Sequence, residues 1–196
     1  MVRTDRGTEN TLMAAMQCFL RRSNGDDHAS LKAHAYGPST SNQRIEAWWS
    51  HLRKSWTTWW MNFFSQMVER AELDTSDDLQ KKCLWFCFNK LLQQGLDQVR
   101  TSWNTHYIRR SRYNTQAGIP DQMYFLPESI GARNCKFPTD NEDINAMQAH
   151  VGYQSQDDYD IYFEAICQQL SLPDRSQWTA DEAKQYFHRL MDIARQ

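Results

Sequence analysis

The sequence predicts an α/β fold, and three observations carry that expectation. Met1-Val2-Arg3-Thr4 reads as the end of a strand, and a second short strand-like run ends at Gly37-Pro38. Between and after these runs, apolar residues recur every three or four positions, the spacing of helices with one buried face. The order strand, helix, strand, long helices is that of an α/β unit. A hydrophobic content of 40%, with 13% aromatic residues and eight Trp, supplies enough material for a packed core and excludes a disordered chain.

The elements follow in order. After the first strand, Asp5 stands at its end and Gly7 allows a tight turn. Glu9 to Arg22 then forms an amphipathic helix with Leu12, Met16, Phe19 and Leu20 on one side. Ser23 to Asp27 is a turn, and Ala29 to Tyr36 a short strand leading into Gly37. Ser39, Thr40 and Ser41 are candidate helix caps. A run without Gly or Pro, from Asn42 to about Val68, forms a long helix. Its buried stripe comprises Ile45, Trp48 or Trp49, Leu52, Trp56, Trp59 or Trp60, Phe63 and Met67.

A second long helix starts near Asp74 to Asp78 and runs through Leu79 to Trp103, with Gly95 as a weak point inside it. Residues 128–156 are polar loop with a short helix near Ile144 to His150. Asp157 to Leu170 and Ala180 to Ala194 are two further amphipathic helices. Thr179 and Glu182 have the spacing of a capping box at the start of the last one.

Composition narrows the function classes. The five cysteines are odd in number and scattered, which does not suit a secreted disulfide framework and points to a reducing compartment. Cys83 and Cys87, four residues apart beside Trp85, Phe86 and Phe88, read as small buried hydrophobes rather than a metal pair. No apolar run is long enough to span a bilayer, and polar and charged residues fill positions 3 to 10, where a signal peptide would differ. The net charge of −2 is unevenly divided: residues 1–112 carry 16 Lys and Arg against 11 Asp and Glu, and residues 113–196 carry 6 against 13. A basic front and an acidic back fit a chain that meets phosphates only with its front.

Two acidic residues stand out. Asp5 lies at a strand end, and Glu46 lies one turn into the long helix, where negative charge is favoured. Each alone reads equally as a turn former or a solvated charge. Together they could converge on a divalent cation, since Mg²⁺ prefers carboxylates and water. T-D-R-G-T-E-N (4–10) followed by Y-G-P-S-T-S-N-Q-R-I-E-A-W-W (36–49) resembles the second and third acidic motifs of the retroviral-type integrase core. The likeness is greatest to transposon-derived integrase-core proteins of eukaryotic genomes. Trp103-Asn104 and Arg109 to Pro120 loosely match the segment that closes many such cores.

The resemblance implies an RNase H-like fold, an Asp-Asp-Glu triad, two Mg²⁺ (or Mn²⁺) ions and DNA strand transfer. Asp5 takes the place of the second Asp and Glu46 that of the Glu as catalytic and metal-binding residues. The first Asp has no counterpart, so residues 1–127 are expected to be the C-terminal portion of the catalytic core, inactive by itself, with residues 128–196 an acidic, mostly helical extension. It further implies DNA near Asn42, Gln43 and Arg44. Lys54, eight residues beyond Glu46 on nearly the same helical face, is either a phosphate contact or a solvated lysine. Arg109, Arg110 and Arg112, interleaved with Tyr107 and Tyr113, are either nucleic-acid contacts or ion-pairing residues between helices. The partners expected are DNA and a second copy of the chain, with no membrane and no small-molecule substrate, in the nucleus or cytoplasm. The alternative is a domesticated, non-catalytic protein that keeps the fold for DNA binding or protein interaction.

Overall fold

The structure, a computed structural model, describes residues 1–8, 10–38, 43–110, 116–151 and 158–195, without the side chains of Gln43 and Arg44. It divides into two compact units: residues 1–51 with 135–154, and residues 52–134 with 155–196.

The first unit is built on a two-stranded parallel sheet. Strand β1 (Val2–Thr4) pairs with β2 (His34–Tyr36) in the register Val2↔His34, Arg3↔Ala35, Thr4↔Tyr36. Parallel neighbours require a crossover, and helix α1 (Asn10–Leu20) provides it. Ala29 to Tyr36 is only half strand: Ser30–Ala33 is a 3₁₀ turn, and the extended backbone begins at His34. Ser30 sits at φ 53°, a left-handed conformation that breaks an extended run before it can form. The Gly37 N–H donates to the Thr4 carbonyl at 2.8 Å, carrying the ladder one residue past β2.

Helix α2 (Gln43–Leu52) follows. A short helix within the polar segment, α6 (Asn141–Gln148), lies three residues earlier than Ile144. The Arg22 guanidinium holds it through a two-pronged pair with Asp143, both contacts at 2.7 Å. Arg21 pairs with Asp26 and lies over the Phe137 ring, 3.8 Å from its centroid.

The second unit is helical. The long run expected from Asn42 to Val68 is interrupted: a π-helical turn, Arg53–Thr57, precedes α3 (Thr58–Glu69). The backbone N–H of Thr58 donates to the Arg53 carbonyl and so does its hydroxyl, at 2.6 Å, which favours the wider turn. Helix α4 (Asp78–Thr105) is capped by Asp77, whose carboxylate accepts from the N–H groups of Leu79 and Gln80. Its Gly95 is no weak point, because the Trp56 indole lies against it and a Cβ there would stand 2.3 Å from Nε1.

Helices α5 (Pro120–Phe125), α7 (Asp158–Gln169) and α8 (Ala180–Ala194) complete the unit. Phe86, Phe88, Phe163, Phe187, Leu190 and Met67 are almost wholly buried in one core, so the acidic C-terminal helices share their hydrophobic interior with α4. Cys83, Cys87 and Cys167 sit in that same core as buried apolar groups. Thr179 and Glu182 form the expected capping box.

Of the apolar stripe of the long helical run, Leu52 and Met67 are buried and Trp48, Trp56, Trp60 and Phe63 are partly so. Ile45 and Trp49 are about half exposed, at 47% and 55%. Periodicity reports which residues share a face of a helix, but burial also requires something to cover that face.

Candidate nucleic-acid-processing site

Thr4 ends β1, and its hydroxyl donates to the Asp5 carbonyl at 3.0 Å. With its proton so used, the same oxygen accepts from His34 Nε2, also at 3.0 Å. His34 is buried and its ring packs edge-on against Tyr36, with centroids 4.7 Å apart. The last residue of β1 is thereby tied to the first residue of β2 from side chain to side chain.

Asp5 is the next residue, and its carboxylate is held on one side only. Oδ1 accepts from the Gly7 N–H at 3.2 Å and from the Asn10 side-chain amide at 2.7 Å. Oδ2 has no hydrogen-bond partner among the described residues. The Asp-x-Gly turn and the first residue of α1 thus hold the carboxylate by one oxygen. They do so at the C-terminal ends of parallel strands, where open α/β sheets take their ligands. A cleft of about 560 Å³ opens there, lined by Asp5, Arg6, Gly7, Tyr36, Gly37 and Pro38.

Glu46 belongs to the same unit and sits in the first turn of α2, exposed. It forms no ion pair among the described residues and is not among the residues lining the cleft. Lys54 is exposed in the π-helical turn of the second unit. Arg109 and Arg110 are exposed beside an antiparallel bridge between Ile108 and Gly118. Asn42 and Arg112 lie outside the described residues, as do the side chains of Gln43 and Arg44.

Arg6 and Tyr36 line the cleft although nothing in their spacing marked them. The position of Arg6 directly after Asp5 was the available signal, and for Tyr36 it was the pairing of the strands. No group of three His, Cys, Asp or Glu among the described residues is placed to hold a metal ion. Asp5 offers one unpartnered oxygen and Glu46 an exposed carboxylate; these residues do not make up a two-ion centre. No helix among the described residues is long and apolar enough to cross a membrane.

A carboxylate presented at the end of a short parallel sheet defines an α/β protein with a strand-end site. The integrase core domain family model matches residues 1–128, and the chain belongs to that family. No curated protein matches the chain, and no solved structure does.

Proposed function

We propose that this chain works on DNA as part of a transposon-derived integrase core, with Asp5 and Glu46 as two of the carboxylates of an Asp-Asp-Glu site. The observation that carries the reading is Asp5, which lines an open cleft at the strand ends with its carboxylate fixed through Oδ1 by Gly7 and Asn10 and with Oδ2 unbonded among the described residues. Divalent cations, Mg²⁺ or Mn²⁺, would there polarise a phosphodiester and activate the attacking oxygen. Among the described residues the carboxylates do not complete a pair of ion sites, so phosphodiester cleavage or strand transfer is not assigned to this chain acting by itself. In this reading the front of the chain, with Asn42, Gln43, Arg44, Lys54, Arg109, Arg110 and Arg112, meets DNA in the nucleus or cytoplasm, and a second copy of the chain assembles on it.

A second reading has one observation in its favour. The missing trio of metal-binding side chains among the described residues suits a domesticated protein that binds DNA without cutting it.

Fluorescence anisotropy of the full chain with labelled DNA, in Mn²⁺ and in EDTA, separates the two. The catalytic-core reading expects tighter binding with metal and loss of that gain in Asp5→Asn and Glu46→Gln. Binding indifferent to metal and to both substitutions supports the second reading. No binding under any condition sinks both.

A further inference from the structure

We propose that Arg3 and Arg6 grip the phosphodiester backbone of a DNA strand beside Asp5, with Tyr36 as the ring on which a base or sugar packs. The inference rests on the DNA-processing reading above and names the substrate contacts of that same cleft.

The argument starts from charge. In the first unit, Arg21 is taken up by Asp26 and Arg22 by Asp143. Arg3 and Arg6 are both exposed and have no acidic partner among the described residues. Asp5 is their neighbour in sequence but not their counter-ion, since the hydrogen bonds to its carboxylate come from Gly7 and Asn10. Two guanidinium groups without an acidic partner among the described residues therefore flank Asp5 in the chain, that of Arg6 in the cleft itself. A planar guanidinium on a surface is suited to bidentate contact with phosphate. The chain as a whole is slightly acidic, at −2, so such contacts would be local rather than a general affinity for polyanions.

Geometry adds a second observation. The Arg3 guanidinium lies against Gly37, where a Cβ would come within 2.3 Å of its Nε and 2.6 Å of its Nη2. The positive-φ glycines described are Gly118 and Gly131, so what the lack of a side chain at Gly37 provides is space into which the Arg3 guanidinium settles. Gly37 lines the cleft, which brings Arg3 to its edge, while Arg6 and the half-exposed Tyr36 line it directly. Cations close to an exposed aromatic ring are a usual means of gripping a single strand.

The test is the salt dependence of binding to a short labelled single-stranded oligonucleotide, using the full chain. Each phosphate contact removed lowers the slope of log affinity against log salt by about 0.7. Arg3→Gln and Arg6→Gln should each lower it by about that amount, and the double variant by about twice as much. Tyr36→Leu should weaken binding by about five-fold or more with the slope unchanged. Arg100→Gln, which removes a cation paired with Asp97 on α4, is the charge-matched control and should leave the slope alone.

Wild-type slopes in Arg3→Gln and Arg6→Gln, with binding retained, overturn this assignment and leave the DNA-processing reading standing. An equal change in Arg100→Gln also overturns it, because bulk charge is then the cause. Absence of any DNA binding by the unmodified chain overturns both.

Discussion

The Asn10 side-chain amide donates to Asp5 Oδ1 at 2.7 Å, so the first residue of α1 fixes the carboxylate at the end of β1. In the proposed metal site Asp5 would be a ligand held on one oxygen, and side chains that orient metal ligands typically matter about 10-fold or more for metal affinity. Asn10→Ala is therefore expected to weaken Mn²⁺ binding about 10-fold, measured by titration with Mn²⁺ detected by electron paramagnetic resonance. Far-ultraviolet circular dichroism should remain unchanged. Unaltered Mn²⁺ affinity would remove Asn10 from any role in the site.

The Trp56–Gly95 contact reverses the usual sign of a helix substitution. Exchanging Gly for Ala in a helix interior normally gains about 1 kcal/mol. At position 95 the new methyl would meet a rigid indole at 2.3 Å, and overpacking of this kind costs about 1–3 kcal/mol. Gly95→Ala should have a lower urea midpoint than the unmodified chain, and Trp56→Leu should relieve the loss. A higher midpoint in Gly95→Ala would show that the indole does not pack there.

Asp77 links acid sensitivity to the capping of α4. The Arg195 guanidinium, 2.7 Å from Oδ2, holds this carboxyl below its ordinary value of 3.8, and the Gln80 N–H adds to the effect. A depressed folded value means that the stabilisation is present above 3.8 and fades as pH falls through the folded value. Asp74, Asp174 and Glu182 are depressed in the same direction, through Ser76, Ser176 and Thr179 respectively. Urea midpoints should hold steady from neutrality to about pH 5 and fall below pH 4. In Asp77→Asn the fall should be shallower, while the stability at neutral pH should be lower.

The cysteines should divide by reactivity. Burial pushes the Cys167 thiol up to about 11, and burial followed by its contact with Cys83 raises Cys87 well above its ordinary value. Thiolates are the reactive form, so Cys87 and Cys167 should resist maleimide in the native chain, Cys83 should do so because it is buried, and exposed Cys135 should label first. Peptide mapping after brief labelling gives the order. Fast labelling at Cys167 would place it outside the core.

Much of the architecture was legible in the sequence because it is set by local chemistry. The Thr179–Glu182 box, the span from Ala180 to Ala194 and the α1 helix after Asp5-x-Gly follow from capping and from apolar spacing, both of which act within a few residues. The stretches around Asp5 and Glu46 resemble two integrase-core motifs closely enough for the family to be legible in the sequence, and the family model matches residues 1–128. The 3₁₀ turn at Ser30–Ala33 and the π turn at Arg53–Thr57 were not legible. The first hangs on one residue in a left-handed conformation, and the second on a bond from Thr58 back to the Arg53 carbonyl.

Tertiary structure decided what periodicity leaves open. Ile45 and Leu52 lie on one apolar stripe by spacing, yet only Leu52 is buried, because burial depends on a covering surface elsewhere in the chain. Gly95 read as a flaw until the Trp56 indole was found against it. Asp5 could be picked out by its motif, but that its Oδ1 is tied to Asn10 and that Arg3 rests on Gly37 beside it are facts of three-dimensional proximity. The sequence determined which groups the chain carries and which helices they ride on; the pairing of β1 with β2 decided which of those groups share a cleft, since strands far apart in sequence meet only through long-range hydrogen bonds.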